Sequence, residues 1–370
     1  MPPLSILVKP ASSACGLRCA YCFYRDTAEA RAVPDRGVMP PAVSRGLIEK
    51  AASAGEGAVS FLFQGGEPTL AGLDFFQDFV SQVEGAFPRG LGVQYAIQTN
   101  GALLSEAWCR FFRRHRFLVG LSLDGDRACH DRFRRDGAGR GTYDQALSAA
   151  RLLERSGVEY ASLTVVTGFL ARRAGDVFAA LCRRGCRVQQ YVPCLPPLGG
   201  EWDAPGCSLQ AGEYGAFLKD LFDLWYQELE RGRYWPVRYF DNLIWMLDGH
   251  PPEQCSLVGR CSPQYMVESD GGVYPCDFYG LDAFRLGNVL QNTWEELERA
   301  RLGFDRASRR VPEKCRSCQW YPLCRGGCRR ERQTEDGPSR WCEAYAAFLP
   351  YALPRLLRAK ELLLRGGVRG

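Results

Sequence analysis

The sequence predicts an α/β fold in which a parallel sheet, curved into a partial (β/α)6 barrel, is followed by a cysteine-rich domain. Three observations support this prediction. Short apolar runs alternate six times with stretches of helical period in the first half of the chain. Polar motifs follow several of these runs, and most of the 17 cysteines fall into two blocks. Alternating strands and helices build a parallel sheet with right-handed crossovers.

The individual elements of the predicted barrel follow from these patterns. The predicted strands are Ser5–Lys9, Ala58–Phe63, Gly92–Gln98, Leu118–Leu123, Glu159–Val166 and Val188–Val192. The predicted helices between them are Pro41–Ala54, Leu73–Glu84, Ser105–Arg114, Thr142–Ser156 and Arg172–Arg184. After a Pro- and Gly-rich linker, Pro196–Cys207, we expect helices at Glu213–Arg231 and Val237–Asp248 and a closing helix at Trp341–Leu364, interrupted by Pro350 and Pro354.

Three polar motifs lie where the predicted strands end. They are Gln64-Gly65-Gly66-Glu67, Gln98-Thr99-Asn100-Gly101 and Ser122-Leu123-Asp124-Gly125. Any one of them alone is typical of an ordinary turn. Because the carboxyl ends of parallel strands form the catalytic face of βα barrels, the three motifs together predict one site at that face.

The first cysteine block, Cys15-x3-Cys19-x2-Cys22, follows the first predicted strand. Three thiolates can hold three irons of a 4Fe-4S cube and leave the fourth iron without a protein ligand. A vacant iron position indicates chemistry on a bound small molecule rather than simple electron transfer. The alternatives are a zinc site and three buried core thiols, and zinc is disfavoured because a structural zinc ion takes four ligands.

The second cysteine block lies in the C-terminal third of the chain. It contains Cys261-x9-Gly271-x4-Cys276 and Cys315-x2-Cys318-x5-Cys324-x3-Cys328, preceded by Cys255 and followed by Cys342. Eight thiolates suit two fully ligated 4Fe-4S clusters. A pair of four-cysteine zinc sites is the open alternative, since zinc ribbons use similar spacings. The other six cysteines have no such spacing, and we expect buried structural thiols.

Composition excludes several classes of protein. The net charge of +5 is small for 370 residues, and its arginine runs, Arg132–Arg135 and Arg325–Arg332, are typical of solvated surfaces. The sequence lacks the dense basic stripe that would predict nucleic-acid binding. The opening Met1-Pro2-Pro3-Leu4 does not resemble a secretory leader, and no apolar run is long enough for a membrane span. We therefore expect a cytoplasmic enzyme that binds neither nucleic acid nor membrane.

The cysteine triad and the polar motifs resemble the radical S-adenosylmethionine (SAM) superfamily, and the second block resembles the SPASM domain. Over nearly the whole chain the sequence is similar to anaerobic sulfatase-maturating enzymes. The segments that carry this resemblance are Lys9–Ser13, the triad with Phe23-Tyr24, Phe63–Leu70, Gln98–Gly101 and Tyr274–Tyr279. The resemblance implies a radical SAM barrel, residues 1–200, a helical linker region, residues 201–250, a SPASM domain, residues 251–346, and a C-terminal helix, residues 347–370.

The resemblance also implies the cofactors: SAM and three 4Fe-4S clusters. In the family, SAM binds the free iron of the cluster held by Cys15, Cys19 and Cys22. The ligands of the two auxiliary clusters would be Cys255, Cys261, Cys276 and Cys328 for the first and Cys315, Cys318, Cys324 and Cys342 for the second.

The activity implied by the resemblance is a post-translational modification. Reductive cleavage of SAM yields a 5'-deoxyadenosyl radical, which oxidises a Cys or Ser in a Cys/Ser-x-Pro-x-Arg segment of an unfolded or nascent sulfatase to formylglycine. Asp277, directly after Cys276, would be the catalytic base. The alternative for Asp277 is a turn cap or a backbone hydrogen bond. An electron donor such as ferredoxin or flavodoxin is the second expected partner.

Further residues of the SAM pocket follow from the same resemblance. Tyr21 would contact the adenine, Gly66 the SAM amino group, and Ser122, Arg134 and Leu195 the rest of the pocket. Tyr24 and Gln64 would touch SAM or the target peptide. Two other functions stay open at this point: a SPASM maturase for a different peptide, and an iron-sulfur electron-transfer protein or zinc-stabilised binding module.

Overall fold

The computed structural model describes residues 4–54, 57–88, 90, 92–198 and 204–364. The strands of this part of the chain are β1 (Leu4–Val8), β2 (Ala58–Phe63), β3 (Gly92–Thr99), β4 (Leu118–Ser122), β5 (Tyr160–Val166), β6 (Val188–Pro193), β7 (Gln264–Val267), β8 (Gly272–Tyr274) and β9 (Gly287–Asn288). The helices are α1 (Phe23–Glu29), α2 (Pro41–Ala54), α3 (Leu73–Ala86), α4 (Glu106–Arg114), α5 (Arg127–Phe133), α6 (Tyr143–Arg155), α7 (Gly168–Ala171), α8 (Ala174–Arg183), α9 (Ala211–Glu230), α10 (Arg238–Leu247), α11 (Trp294–Ser308), α12 (Glu313–Arg316), α13 (Tyr321–Cys324) and α14 (Cys342–Leu364).

The six predicted strands and the predicted helices before α11 are confirmed to within two residues at each end. The interruption predicted in the last helix is wrong, because α14 is one helix with Pro350 and Pro354 inside it. Both prolines are exposed. They lie four residues apart and so share one face of the helix, where water can satisfy the backbone carbonyls that lose their partners. Parts of three predictions, residues 1–3, 199–203 of the linker and 365–370 of the last helix, lie outside the described residues.

The structure divides into two compact units that do not follow the predicted domain order. Unit 1 combines Met1–Ser122, Arg134–Tyr160 and Pro263–Phe304. Unit 2 combines Leu123–Phe133, Ala161–Ser262 and Asp305–Gly370. A segment from the middle of the predicted SPASM domain therefore belongs to the same unit as the first cysteine triad.

The sheet of unit 1 has the strand order β4-β3-β2-β1-β7-β8-β9. Strand β1 pairs in parallel on both sides, with Ile6 opposite Phe61 of β2 and opposite Tyr265 of β7. Strands β7, β8 and β9 then continue as antiparallel pairs. This pairing of β1 with β7 places the turn after β8 in the unit that carries the N-terminal cysteines.

The core of unit 1 is rich in aromatic side chains. Phe61 and Phe63 of β2 pack edge-to-face on Phe79 of α3, at ring distances of 5.2 and 5.1 Å. Phe76 and Phe117 extend the same cluster, and all five side chains are buried. Their large apolar surfaces supply much of the driving force for folding of this unit. The period of α3 and the alternation in β2 explain why these positions face inward.

Unit 2 is held together by long helices. Helices α9 and α14 pack against each other, and α10 packs on α14. Phe222 of α9, Phe240 of α10 and Phe348 of α14 meet at ring distances of 5.2 to 5.8 Å. Strands β5 and β6 pair in parallel in this unit. The aromatic stripe of α9 thus forms core, as its spacing predicts. In the described part of the chain, every helix lacks the combination of length and apolar character that crossing a bilayer requires.

Candidate active site

The three N-terminal cysteines lie in unit 1, on the loop between β1 and α1 and at its junction with the helix. Cys15 is exposed, Cys19 is buried and Cys22 directly precedes α1. The backbone N–H of Leu17 donates to the sulfur of Cys15 at 3.4 Å, and the Asn100 amide lies 3.8 Å from it. Amide donors aimed at a sulfur stabilise a thiolate, which is the form that binds metal.

Gly66 brings the loop after β2 against the loop that carries Cys15. Its backbone N–H donates to Ser12 at 3.1 Å, and the next N–H, of Glu67, donates to Ala14 at 2.7 Å. A Cβ on Gly66 would lie only 2.1 Å from the carbonyl oxygen of Ala14. No residue other than glycine fits this position without movement of the backbone.

Glu67 fixes the two loops that follow β2 and β3. One carboxylate oxygen accepts from the hydroxyls of Thr69 and Thr99, at 2.6 and 2.7 Å, and the other accepts from the backbone of Asn100 at 2.8 Å. Burial raises the pKa of Glu67, although these hydrogen bonds oppose the shift. Asn100 in turn reaches Cys15. Glu67 is thus a positioning residue, and the motif Gly-Gly-Glu is the only signal of it in the sequence.

Asp277 lies in a short 3-10 turn that follows β8 and Cys276. Its Oδ2 accepts hydrogen bonds from the Tyr24 hydroxyl and the Gln64 amide, both at 3.1 Å. The sulfur of Cys276 lies 3.1 Å from Oδ1. Three distant segments, α1, the loop after β2 and the turn after β8, therefore meet at one carboxylate. This contact excludes the reading of Asp277 as a simple turn cap, since its side chain accepts from side chains far along the chain.

A buried charge cluster lies behind this carboxylate. Lys9 and Arg31 both bind the same oxygen of Glu268, at 2.8 and 2.5 Å, and all three side chains are almost fully buried. Burial alone would raise the pKa of Glu268, but the two cations lower it below its ordinary value. The ammonium of Lys9 lies 5.6 Å from the centre of the Tyr24 ring, and Arg31 donates to the carbonyl of Gly280, next to the Asp277 turn. No local pattern in the sequence indicates this cluster, because only folding brings its members together.

The predicted SAM-pocket residues of unit 1 are partly brought together. The guanidinium of Arg134 lies 5.4 Å from the centre of the Tyr21 ring, and both side chains are buried. Ser122 ends β4 and accepts from the amide of Gln98 on β3, at 3.1 Å. Leu195 belongs to unit 2, two residues beyond β6, and is half-buried. Its predicted contact with SAM stays a prediction.

Four predicted cluster ligands gather in unit 2. Cys315 lies on α12, Cys318 follows it, Cys324 ends α13 and Cys342 begins α14. Burial, together with a smaller effect of the neighbouring thiols of Cys315, Cys318 and Cys342, raises the pKa of Cys324 to about 11. Thiols so close together become thiolates only when a cation compensates their charge, as the iron of a cluster does.

Three of the four ligands predicted for the other auxiliary cluster also belong to unit 2. Burial raises the pKa of Cys328 well above its usual range, and Cys255 and Cys261 act in the same direction. Cys276, the fourth, lies beside Asp277 in unit 1. Among the described His, Cys, Asp and Glu residues, no three form a group that could hold a metal ion. The predicted donor sets contain only sulfur, and soft thiolate ligands of this kind suit iron-sulfur clusters. Of the six cysteines without such spacing, five are buried as predicted and Cys182 is half-buried.

Two family models match the chain. The radical SAM superfamily matches residues 10–172, which include the first triad. SPASM, an iron-sulfur cluster-binding domain, matches residues 255–319 and ends before Cys324. The relatives that match extend over nearly the full length. A cysteine-type anaerobic sulfatase-maturating enzyme of Clostridium novyi is 38% identical, over 98% of this chain and 99% of that protein. The chain belongs to the family of anaerobic sulfatase-maturating enzymes.

Other relatives and solved structures agree. A serine-type member of the family from Klebsiella pneumoniae is 31% identical, over 94% of this chain and 86% of its own. The structure of native anSMEcpe with bound AdoMet and a Cp18Cys peptide has a TM-score of 0.92 at 38% identity, covering 98% of this chain and 100% of that one. Streptococcus suis SuiB bound to its precursor peptide shares the fold alone, with a TM-score of 0.63 at 18% identity, covering 91% of this chain and 75% of that one.

These findings confirm four predictions. The fold is a radical SAM α/β fold with a SPASM domain, and the chain is a radical SAM enzyme. Its function is that of the family, the activation of sulfatases through formylglycine. The cofactor prediction, iron-sulfur clusters and SAM, also agrees with the two family models. The individual ligands, the base and the domain boundaries stay predictions.

Proposed function

We propose that this enzyme oxidises a cysteine within a Cys-x-Pro-x-Arg segment of an unfolded or nascent sulfatase to formylglycine. The observation that carries this proposal is the carboxylate of Asp277, fixed by Tyr24 and Gln64 immediately beside Cys276. The cysteine-type relatives are 38 to 40% identical to the chain, against 28 to 31% for the serine-type relatives. This difference supports cysteine as the preferred target.

The ligand sets of the proposal are those that the sequence predicts. Cys15, Cys19 and Cys22 would hold the cluster that binds SAM. Cys255, Cys261, Cys276 and Cys328 would hold one auxiliary cluster, and Cys315, Cys318, Cys324 and Cys342 the other. When bound, these groups supply one-electron transfer and a 5'-deoxyadenosyl radical. Tyr21, Gly66, Ser122, Arg134 and Leu195 would bind SAM.

Asp277 is the proposed base. Two donors hold its Oδ2, so the carboxylate has a fixed orientation, with Oδ1 next to the sulfur of Cys276. A thiolate has no proton to donate, so a metal-bound Cys276 leaves Oδ1 as an acceptor. Asp277 can then take the proton of the substrate thiol while the adjacent carbon is oxidised. In the net change, CH2–SH and water become CHO and hydrogen sulfide, with loss of two electrons and two protons. One hydrogen atom would pass from the carbon to the 5'-deoxyadenosyl radical. The second proton would pass to Asp277, and the second electron to the neighbouring auxiliary cluster.

The proposal is tested by anaerobic reconstitution with iron and sulfide, followed by SAM, dithionite and a peptide containing Cys-x-Pro-x-Arg. We expect 5'-deoxyadenosine and a peptide aldehyde that reacts with a hydrazide. The Ser-x-Pro-x-Arg peptide should give less aldehyde under the same conditions. Deoxyadenosine without aldehyde from either peptide would contradict the proposal.

The variant Asp277→Asn separates the base from the rest of the site. The amide cannot accept the substrate proton, so aldehyde formation should fall much further than cleavage of SAM. An equal fall in both would remove Asp277 from the base role. A small one-electron carrier, such as ferredoxin or flavodoxin, is the proposed electron donor, and a cytoplasmic location stays a prediction.

A further inference from the structure

Unit 2 contains an open cavity of about 430 Å³ whose lining is positively charged. Three arginines contribute to it: Arg260, Arg309 and Arg325. The other lining residues are Val258, Gly259, Val311, Tyr321 and Pro322. None of the described residues that line the cavity is acidic. We call this surface the arginine groove.

The arginine groove lies on the loops that carry the predicted ligands of both auxiliary clusters. Val258, Gly259 and Arg260 are part of the segment between Cys255 and Cys261. Tyr321, Pro322 and Arg325 flank Cys324, and the backbone N–H of Tyr321 donates to Cys318 at 3.1 Å. The lining residues are therefore sequence neighbours of predicted cysteine ligands.

Direct packing joins the two loops. A Cβ on Gly259 would lie 3.1 Å from the Cβ of Arg325, so the two backbones are in close contact. Both residues have positive φ angles, 83° for Gly259 and 48° for Arg325. For Arg325 this conformation is unusual and has an energetic cost. The fold thus maintains a strained arginine at the point where the two ligand loops meet the surface.

The charge of the groove is not neutralised by its surroundings. Arg260 and Arg309 are exposed and form no ion pair with the described residues. Glu313, four residues after Arg309, binds Arg316 at 3.3 Å, and Asp336 binds Arg310 at 3.1 Å. A concave surface of one sign attracts a partner of the opposite sign and accelerates its association.

We propose that the arginine groove is the docking site of an acidic electron-transfer protein, a small carrier of one electron with a flavin or an iron-sulfur centre. This inference rests on the proposed function, which requires electrons to pass between the enzyme and a soluble carrier. Transient electron-transfer complexes bury little surface and depend on charge, so a small arginine-lined concavity suits them. A carrier docked there would lie against the loops that carry the predicted cluster ligands.

The test is a binding measurement on the anaerobically reconstituted enzyme, with purified flavodoxin as the acidic probe and the quenching of its flavin fluorescence as the signal. The test variant is Arg260→Gln with Arg309→Gln. Arg325 is left unchanged because it adjoins Cys324. The matched control is Arg183→Gln with Arg184→Gln, which removes the same charge from exposed arginines of unit 2 outside the groove. Iron and sulfide contents confirm that both variants keep their clusters.

We expect the groove variant to raise the Kd for flavodoxin about tenfold at low ionic strength, because surface charges control such encounters. The control variant should change the Kd by less than about twofold. The difference should shrink as salt shortens the Debye length to roughly 8 Å at physiological ionic strength. The aldehyde yield supported by flavodoxin should fall relative to the yield that dithionite supports in the same variant.

Three results would overturn the proposal: equal effects of the two variants, equally tight binding of the basic carrier cytochrome c, or tighter, groove-dependent binding of an RNA oligonucleotide. The failure of the proposed function gives a different result. In that case the wild-type enzyme would form no aldehyde with dithionite, whatever the binding of flavodoxin showed.

Discussion

The hydroxyl of Tyr24 is the residue-scale feature on which the orientation of Asp277 depends. Replacing it in Tyr24→Phe removes one of two donors to Oδ2. A hydrogen bond to a charged group contributes about 1.5–3 kcal/mol, which corresponds to a loss of about tenfold or more in aldehyde formation. Cleavage of SAM should be affected less, since the lost hydrogen bond is the one to Asp277, the proposed base. The measurement is the ratio of peptide aldehyde to 5'-deoxyadenosine.

Tyr351→Phe is the control for that experiment. Its hydroxyl also binds an aspartate, at 2.7 Å from Oδ2 of Asp223, but on an exposed surface of unit 2. The aldehyde ratio should stay at the wild-type value in this variant. If both phenylalanine variants lowered the ratio equally, the contact of Tyr24 with Asp277 would have no specific role.

The close approach at Gly66 gives a second prediction at this scale. In Gly66→Ala the new methyl group would collide with the carbonyl of Ala14, at 2.1 Å, and the loop with Cys15 would have to move. A displacement of about 1 Å in a site can reduce turnover on the order of 100-fold. We expect weaker SAM binding by equilibrium dialysis. Gly85→Ala on α3 meets no atom within 4 Å and should bind SAM normally.

How far the sequence predicted these residues depends on the range of their contacts. The spacing of Cys15, Cys19 and Cys22 is local, and so a motif reveals it. Asp277 could be found only through its position next to a ligand cysteine. Its bonds to Tyr24 and Gln64 join positions more than 200 residues apart, and no periodicity in the sequence encodes such a pairing.

At the scale of elements, the pairing of β1 with β7 depends on the charges at their ends. Lys9 follows β1 and Glu268 follows β7, and their ion pair is completed by Arg31. The variant Glu268→Gln would leave two buried cations without a counterion. Breaking a buried ion pair in this way costs about 3–5 kcal/mol, so we expect the free energy of unfolding of unit 1 to fall by that order. Urea unfolding, monitored through hydrogen exchange of the β1 amides, measures this change in free energy.

The same carboxylate makes this stability depend on pH. The pKa of Glu268 is lower in the folded protein than in the unfolded chain. Its contribution to the free energy of unfolding is therefore fully present above its pKa in the unfolded chain, and it is lost as the pH falls through the lower pKa of the folded state. The difference between wild type and Glu268→Gln should therefore shrink in acid. Glu49→Gln, an exposed glutamate of α2, is the control and should show neither effect. If the stability difference between wild type and Glu268→Gln grew in acid, Glu268 would not be the negatively charged partner of Lys9 and Arg31.

The elements themselves were predicted unequally. The strands and helices of the barrel have strong periodicity, and the sequence located them closely. Strands β7, β8 and β9 contain four, three and two residues, too few for an alternating pattern to be visible. Helix α11 has a helical composition, but it follows a turn-rich segment and lies outside the predicted helices. Proline normally interrupts a helix, but α14 continues through Pro350 and Pro354. The packing of Phe348 against α9 stabilises the helix in spite of them.

At the scale of the whole molecule, sequence order and spatial order differ. The sequence predicts consecutive domains, whereas unit 1 takes its segment Pro263–Phe304 from the predicted SPASM domain. The pairing of β7 with β1 explains why this segment belongs to unit 1. The two strands are far apart in sequence, so no local pattern predicts their pairing. Cys276 thereby becomes a residue of unit 1, while its predicted partner ligands belong to unit 2. The predicted clusters thus draw their ligands from segments that are distant in sequence.

Metal removal should therefore affect the molecule unevenly. Between the end of α11 and the start of α14, the described chain has only two α-helices of four residues each, one 3-10 turn at Arg329–Glu331, and four predicted ligands. So little regular structure cannot stabilise this segment alone, and bound metal adds its binding free energy to folding. We expect trypsin to cleave the apo-protein at arginines within residues 309–340 and to spare them after reconstitution with iron and sulfide. Mass spectrometry of the fragments identifies the sites.

Helix α9 provides the internal control for this comparison. It packs on α14 through Phe222 and Phe348, the latter six residues beyond the predicted ligand Cys342. Helix α9 contains no predicted ligand, so its cleavage should not change with metal content. Reconstitution with zinc alone tests the zinc alternative, because four-cysteine zinc sites would protect the segment equally well. Protection by zinc and not by iron and sulfide would mean that the second cysteine block is a zinc module, and the proposed path of electrons through unit 2 would then be lost.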